Sequence, residues 1–364
     1  MKKIEAKIVA DSINPQGDRI TTYLLTFPRF ILSELNTHRM FSKNSASSRA
    51  IPFEKMVKMV EEDPFIPIAW QFDHKGMQGI EYVTEESDFG GIFARNESWL
   101  SARDYAIQQA KDLNSMDTTK QLCNRLLEPF MWHTVLLTGT EFKNFFELRC
   151  PIYRAFGNVF KSRKDCIEKY PANINLTDLD WLEATESQAE IHMQALAEAM
   201  WDAYNESIPK ELKEGEWHIP FRDKIDAQIL EDFNGLTNSF TMIKISTARC
   251  ARLSYMTFDG KVDYEKDIKL HDTLLESQHM SPFEHCARAM NDEEYYSRIK
   301  GKVPTYTDDY GIYNIEYYPI CYKESVNFDG PLGENPNNGD KFGWCRNFKG
   351  FIQYRYLLEN KTKL

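Results

Sequence analysis

The stretch Thr37–Arg49 reads Thr-His-Arg-Met-Phe-Ser-Lys-Asn-Ser-Ala-Ser-Ser-Arg and is the densest run of polar side chains in the sequence. It offers two guanidinium groups, an imidazole, an amide and four serine hydroxyls. A guanidinium fork matches the oxygens of a phosphate, and serine hydroxyls can fill the remaining acceptor positions. These side chains predict a site for a phosphate and a ribose. A solvated serine-rich loop after a helix is the alternative, and composition alone does not separate the two interpretations.

This stretch lies in the basic part of an acidic chain. The 364 residues carry a net charge of −11, yet residues 1–60 hold ten Lys and Arg against five Asp and Glu. Residues 292–340 hold four against ten. The overall charge argues against a protein that coats nucleic acid, so nucleic acid is not an expected partner. The basic region is where an anionic ligand is expected.

Composition sets the class of protein. Hydrophobic residues make up 42% of the chain and aromatic residues 13%, which suffices for a core and excludes disordered and low-complexity classes. The length allows two domains, or one large domain with insertions. Seven scattered cysteines without a Cys-x-x-Cys pair favour free thiols in a reducing cytoplasm. No apolar run is long enough to span a membrane, so we expect a cytoplasmic protein that is neither exported nor membrane-embedded.

Periodicity predicts the order of the elements. A hairpin is expected over 3–10 and 20–27, around the turn residues at 14–17, with a helix beginning near Pro28. The segment 150–182 breaks the periodicity and is interpreted as an insertion. The acidic segment 292–342 is predicted to be a long surface excursion. Further helices are predicted at Phe53–Val60, 97–115, 118–137, 184–204, 263–277 and Asn347–Leu358, a strand at Phe240–Ile245, and a helix or strand at Ser281–Met290.

The pattern within Thr37–Arg49 is more specific than its composition. It closely resembles the signature His-Arg-x-x-Ser-x-Asn-x-x-Ser-x-Arg of the flavin-dependent thymidylate synthases, at His38, Arg39, Ser42, Asn44, Ser47 and Arg49. Two other segments are similar to the same family. Asn144-Phe-Phe-Glu-Leu-Arg149 resembles its Asn-Phe-Leu-x-Leu-Arg motif, and Ser277-Gln-His-Met-Ser-Pro-Phe-Glu-His285 resembles its Gly-His-x-Ser-Pro-Phe-Glu-His element. Three separated matches make coincidence an unattractive explanation.

The order of these motifs differs from that of typical members. The Ser-Pro-Phe-Glu-His element precedes the His-Arg signature in those proteins, whereas here it follows more than two hundred residues later. The chain therefore resembles a circularly permuted, phage-type member, which would place it in the host cytoplasm. Permutation costs little when native termini are close together at the surface. We expect an α+β fold with a mixed sheet and flanking helices, in which residues 1–240 form a nucleotide- and flavin-binding core and 241–364 complete it.

The resemblance implies a reaction. Methylation of dUMP at C5 to dTMP would use FAD, NADPH and methylenetetrahydrofolate, in a homotetramer with shared active sites. The residues support a flavin route independently, because adding a nucleophile at C6 of the ring requires a low-pKa cysteine. No cysteine lies in the Pro-Cys-His context of the thiol-dependent enzymes or next to the His-Arg signature.

The resemblance also implies roles for individual residues. Arg149 would polarise the pyrimidine. The nucleotide would be held by Glu34, Ser47, Ser48, Arg49 and Arg125. The flavin would be bordered by His38, Arg39, Asn44, Asn144, His279, Ser281 and Glu284. No metal is expected, since His279 and His285 lack an accompanying ligand set.

Several positions depart from the family pattern. Thr37 replaces an arginine, Ser45 a glutamate, Ala50 an aromatic residue, and Thr138-Gly-Thr140 an Asn-x-Arg pair associated with the flavin. We expect Arg355 to restore a missing guanidinium. The departures leave two alternatives open: 5-methylation or 5-hydroxymethylation of dCMP, and a non-catalytic protein that binds nucleotide or flavin. Without any flavin, Ser281–Glu284 also fits a helix capping box.

Overall fold

A computed structural model describes residues 2–75, 79, 81–171, 176–225, 238–253, 263–296, 307–308, 311–312 and 343–360. Within them the chain is a mixed α+β protein with a five-stranded mixed sheet and flanking helices, which confirms the predicted fold class at that level. Most of the acidic segment 292–342 lies outside the described residues. The elements are β1 (Glu5–Ile13), β2 (Arg19–Pro28), α1 (Leu32–Asn36), β3 (Ser42–Ser45), α2 (Phe53–Glu62), α3 (Gly91–Ser115), α4 (Lys120–Cys123), β4 (Trp132–Gly139), α5 (Lys143–Arg149), β5 (Tyr153–Ala155), β6 (Asn158–Phe160), α6 (Arg163–Lys169), α7 (Asp178–Ala184), α8 (Ile191–Glu206), β7 (Lys210–Glu211), β8 (Trp217–His218), α9 (Asn238–Ala251), α10 (Tyr264–Glu276), β9 (Ala287–Ala289), α11 (Asp292–Tyr296), β10 (Thr307–Asp308), β11 (Gly311–Ile312), β12 (Trp344–Cys345), β13 (Phe348–Lys349), β14 (Phe351–Gln353) and α12 (Tyr354–Glu359).

The central sheet has the strand order β3-β4-β2-β1-β7. All neighbouring strands are antiparallel except β1 and β7, which are parallel. The predicted hairpin is confirmed as β1 and β2. Its turn is closed by Asn14, whose side-chain oxygen accepts the Asp18 N–H at 2.7 Å. β3 is an edge strand, and β4 is its one strand partner among the described residues.

One face of the sheet packs on α5 and α8. Alternate residues of β2, among them Tyr23, Leu25 and Phe27, join Val135 and Leu137 of β4 in this core. The helix α8 supplies Met193, Leu196, Ala197 and Met200, whose spacing places them on one side of the helix. The predicted helix at 184–204 therefore exists, although α8 begins only at Ile191. Its first N–H groups are capped by the carboxylate of Glu190.

The opposite face of the sheet is covered at one end by the C-terminal part of the chain. Ala46 and Leu136 pack there against Phe221, Cys250 and Leu253. Next to them lies a small sheet of order β14-β9-β8 and a core shared by α9, α10, the 3-10 turn Ser281–Glu284 and α12. Residues from the two ends of the sequence thus contribute to one continuous interior.

Two further layers flank the sheet. Helices α2 and α3 pack around the 3-10 turn Asn124–Phe130. Most of the predicted insertion 150–182 forms the β5-β6 hairpin with α6 and α7, around the buried Tyr153, Phe160, Cys166 and Trp181. None of the helices among the described residues is both long and apolar enough to cross a membrane. The six cysteines in the described residues are buried, and free thiols are confirmed for five of them, namely Cys123, Cys150, Cys166, Cys250 and Cys286.

Two predicted elements are wrong in type. The helix expected over 118–137 is replaced by α4, a 3-10 turn and β4. Pro129 lacks the N–H that a helix interior needs, and the chain after it pairs with both β2 and β3. The strand expected over Phe240–Ile245 is part of α9, because Thr241, Ile245 and Ala248 recur at helical spacing and are fully buried.

The predicted final helix is shorter than expected. It begins at Tyr354 rather than Asn347, because β13 and β14 precede it. Gly350 separates these strands at a φ of 74°, and a Cβ there would lie 2.1 Å from Nδ2 of Asn14. The C-terminal strands are therefore seated against the β1-β2 turn, and this contact, invisible to periodicity, excludes a helix before Tyr354.

Candidate functional site

The signature Thr37–Arg49 follows the edge of the sheet. It leaves α1, forms β3 against β4, and ends in a turn before α2. Alternation along β3 directs Lys43 towards α1 and the turn that follows it, whereas Ser42 and Asn44 point towards the C-terminal part of the chain. The signature therefore divides into three places: the Lys43 side, the Asn44 side and the turn after β3.

On the Lys43 side, His38 and Arg149 are brought together. The Nε of Arg149 donates to Nε2 of His38 at 3.0 Å, so this ring nitrogen acts as an acceptor and the imidazole is neutral. Burial, and then the charges of Arg149 and Lys43, lower the pKa of His38 to about 4. Glu34 lies 3.9 Å from Arg149, and burial followed by the nearby Glu190 raises the pKa of Glu34. The result is a guanidinium held between a neutral imidazole and a carboxylate.

Lys43 supports this arrangement and was not among the predicted site residues. Its Nζ donates to the carbonyl of Leu35 at 3.1 Å and to that of His38 at 2.8 Å. Burial lowers the pKa of Lys43 to about 8. The ammonium thereby ties the end of α1 to β3 and fixes the backbone that carries His38.

The turn after β3 is held by hydrogen bonds from the 3-10 turn Asn124–Phe130. Asn124 is fully buried, and its Nδ2 donates to the carbonyls of Ser48 and Ile51 at 2.8 and 3.0 Å. The Ser48 hydroxyl donates to Glu128 at 2.5 Å. Ser48 is therefore a structural anchor of the turn in this arrangement, and its hydroxyl does not face an open site.

The predicted phosphate partners lie on two neighbouring turns, Arg49 on the turn after β3 and Arg125 on the 3-10 turn Asn124–Phe130. Both arginines are exposed, and neither makes an ion pair with a residue that the structure describes. Ser47, two residues before Arg49, is half-buried. Two guanidinium groups without carboxylate partners are suited to an incoming phosphate.

On the Asn44 side, the signature meets the permuted segments. The Nδ2 of Asn44 donates to the carbonyl of Cys250 in α9 at 3.2 Å. The hydroxyl of Ser42 accepts from Asn347 at 3.1 Å and from Gln353 at 3.3 Å. β3 also contacts the 3-10 turn Ser281–Glu284. Stretches that are far apart in the sequence are thus neighbours across this strand.

Glu284 and Arg355 form an ion pair in the same region. The Nη1 of Arg355 donates to Glu284 at 2.6 Å, and its Nε donates to Glu359 at 2.7 Å. Ser281 makes no capping hydrogen bond, so the predicted capping box is wrong. The physical reason is that the turn already begins at Ser281, with Met280 in the capping position.

The remaining predicted residues are exposed. Arg39 lies in the turn between α1 and β3, Asn144 at the start of α5, and His279 in the turn after α10. Arg149 and Glu284 lie on opposite sides of β3, so the described part of one chain does not bring Arg39, Asn144 and His279 together with both of them.

A buried polar chain lies behind the Asn44 side and was missed at the sequence level. It consists of Ser12, His218, Thr22, Thr138 and His285. The consecutive distances are 3.0 Å from Ser12 to His218, 2.8 Å to Thr22, 2.7 Å to Thr138 and 2.8 Å to His285. All five side chains are buried, and burial lowers the pKa of both histidines to about 3. The one available signal was Thr138, which departs from the family pattern.

The chain of bonds ends in an unpaired atom. The Nε2 of His285 is buried and has no hydrogen-bond partner among the described residues, and the same holds for Oε1 of Gln353. Buried polar atoms without partners are rare, and an absent polar ligand or water is the usual explanation. Asn44 and Arg355, which the resemblance assigns to the flavin, already have protein partners in this region.

Comparisons with known proteins add a distant likeness. No protein family and no curated protein matches the sequence. Two solved structures that are similar to this chain are those of a UMP/dUMP methylase, PolB from Streptomyces cacaoi, bound with 5-Br UMP and with 5-Br dUMP. The first has 16% identity, a TM-score of 0.37, and coverage of 56% of this chain and 89% of that chain. The second has 15% identity, a TM-score of 0.33, and coverage of 51% and 65%. Because both TM-scores are low, the likeness assigns neither activity nor residue roles to this chain.

Proposed function

We propose that the protein methylates dUMP at C5, using methylenetetrahydrofolate as the one-carbon donor and NADPH as the reductant, with FAD as cofactor. The observation that supports this proposal is that the two other motifs both contact the signature Thr37–Arg49. His38 in the signature bonds Arg149 in the second motif, and β3 in the signature contacts the turn Ser281–Glu284 of the third. Chance matches scattered over a chain have no reason to meet in this way.

The nucleotide phosphate would bind at the turn after β3. Arg49 and Ser47 lie on this turn and Arg125 lies on the 3-10 turn that holds it; both arginines are exposed and have no carboxylate partner among the described residues. Asn124 holds the backbone of this turn through two hydrogen bonds, so its shape is set before the ligand arrives. A preformed turn reduces the ordering cost of binding.

Arg149 would act on the pyrimidine. Its guanidinium is held by an accepting nitrogen of His38 and by the more distant Glu34, and it remains partly accessible. Directed at a carbonyl oxygen of the ring, this positive charge stabilises the electron density that develops when C5 acts as a nucleophile. A neutral His38 is required for this geometry, because a protonated ring would repel the guanidinium.

The flavin would border the Asn44 side. FAD, once reduced by NADPH, supplies the hydride that completes the methyl group. Asn44, Ser281, Glu284 and Arg355 would position it in one subunit. His38, Arg39, Asn144 and His279 would be contributed from neighbouring copies, since they lie on the other side of β3 or at the exposed surface. This division is the reason for proposing a homotetramer with shared sites.

Product analysis tests the proposal and decides the base. The full-length protein is incubated with FAD, NADPH, methylenetetrahydrofolate and either dUMP or dCMP, and products are identified by mass. We expect dTMP from dUMP, loss of product with Arg149→Ala, and normal product with Arg154→Ala as a surface control, because the Arg154 side chain is exposed on the β5-β6 hairpin. A methylated or hydroxymethylated dCMP would replace uracil by cytosine as the substrate base. Failure of both, with a protein that FAD does not colour, would leave a non-catalytic nucleotide-binding protein.

A further inference from the structure

A lysine-rimmed cavity opens on the sheet, separate from the ion pair of Arg149 and Glu34 and from the turn Ser281–Glu284. It has a volume of about 760 Å³. It lies over the end of the sheet face that the C-terminal part of the chain leaves uncovered, between the N-terminal residues, β4 and α2. A cavity of this size is in the range that encloses a small organic ligand.

The rim of this cavity is strongly basic. Lys2, Lys3, Lys7 and Lys55 line it and are exposed, and none makes an ion pair with a residue that the structure describes. Lys224 is a fifth lining lysine, and Glu5 is the one acidic side chain in the lining. Asp63 stands near the mouth, where it accepts the backbone N–H of Lys2. Even with the carboxylates of Glu5 and Asp63 counted, the rim has an excess of positive charge. This excess favours a ligand with more than one negative charge.

The floor of the cavity is apolar. Leu24, Ile51, Met131 and Leu253 contribute to it, and the indole of Trp132 forms part of its wall. A flat apolar surface with an indole in its wall is suited to packing against a heteroaromatic ring.

We propose that this cavity binds a nucleoside di- or triphosphate, with the base against Trp132 and the phosphates among the lysines. A free phosphate would leave the apolar floor empty, and a nucleoside would leave the lysines uncompensated. The cavity also adjoins Ala46 and Ile51, which flank the turn that carries Arg49. The ligand would therefore contact the back of the turn at which the substrate phosphate is proposed to bind, but its binding does not depend on that proposed function.

Titration of the purified full-length chain tests the proposal. dTTP, ATP, inorganic triphosphate and thymidine are titrated while tryptophan fluorescence is followed, with Trp132→Phe to identify the reporting residue. We expect a triphosphate nucleotide to bind, thymidine not to bind, and Lys7→Gln and Lys55→Gln each to weaken binding about fivefold. Lys58→Gln is the matched control, because this lysine lies on the same helix, pairs with Glu62 at 3.7 Å and does not line the cavity.

Separate outcomes distinguish this cavity from the proposed substrate site. Binding of the triphosphate should survive Arg49→Gln, a change expected to weaken dUMP binding. Triphosphate binding that is lost with Arg49→Gln, or unchanged by both cavity lysine variants, would overturn the proposal. So would protection of Lys7 and Lys55 from acetylation in the nucleotide-free protein, because a second copy of the chain would then cover the cavity.

Discussion

Replacing Thr138 by valine removes the middle of the buried polar chain with almost no change of shape. The hydroxyl of Thr138 bonds Thr22 at 2.7 Å and Nδ1 of His285 at 2.8 Å, and the residue is fully buried. After the substitution His285 has no partner on either ring nitrogen, whereas Thr22 keeps its bond to His218. One newly unsatisfied buried nitrogen costs about 1–3 kcal/mol, and the lost bond of Thr22 adds about 1 kcal/mol. We therefore expect a loss of about 2–4 kcal/mol in the free energy of unfolding.

Urea denaturation at neutral pH measures this loss, with Thr134→Val as the matched control. Thr134 lies on the same strand and the same face, but its side chain is half-buried at the lysine-rimmed cavity. The control should change the free energy of unfolding by less than about 0.5 kcal/mol. The slope of the free energy with urea should be unchanged in both variants. Equal stabilities of Thr138→Val and Thr134→Val would show that the hydrogen-bonded chain does not hold the sheet to the C-terminal segment.

Three other predictions follow from the same contacts. Arg149→Met should raise the pKa of His38 above about 4 while burial keeps it below the ordinary value, as followed by NMR titration of the imidazole; an unchanged pKa would remove the contact from the account. Arg355→Ala should weaken FAD binding about tenfold in a fluorescence titration, because Glu284 loses its partner, and unchanged FAD and nucleotide affinity would dispose of the role given to this arginine. The free energy of unfolding should fall as the pH drops below about 6.5, by up to about 1.4 kcal/mol per pH unit for each histidine of the buried polar chain. The reason is that these histidines bind protons in the unfolded chain, whereas in the folded chain their pKa is about 3. Urea midpoints that do not change between about pH 7 and about pH 5 would contradict this prediction.

Local sequence patterns predicted much of the secondary structure. Alternation around Asn14–Gly17 correctly predicted the first hairpin, and helical spacing correctly predicted α10 and most of α8. The failures at 118–137 and Phe240–Ile245 have a common cause. Their apolar runs suit either type of element, and only the partners decide: β2 and β3 for the first, and the buried face of α9 for the second.

The candidate site was partly visible in the sequence. The signature and the two other motifs indicated residues that are in contact, such as His38 with Arg149. The sequence could not indicate that the Ser48 hydroxyl donates to Glu128, or that Lys43 in β3 donates to the His38 carbonyl after α1. These contacts depend on how the chain turns. The buried polar chain was equally hidden, since its members come from five separate segments and show no motif.

Release of the C5 hydrogen of the pyrimidine tests the central claim most directly. dUMP tritiated at C5 is incubated with the full-length protein, FAD, methylenetetrahydrofolate and NADPH, and tritium in water is counted. We predict release that requires the one-carbon donor and NADPH, disappears with Arg149→Ala and persists with the surface variant Arg154→Ala. Absence of release from a protein that binds both FAD and dUMP, or release that is independent of Arg149, would contradict it.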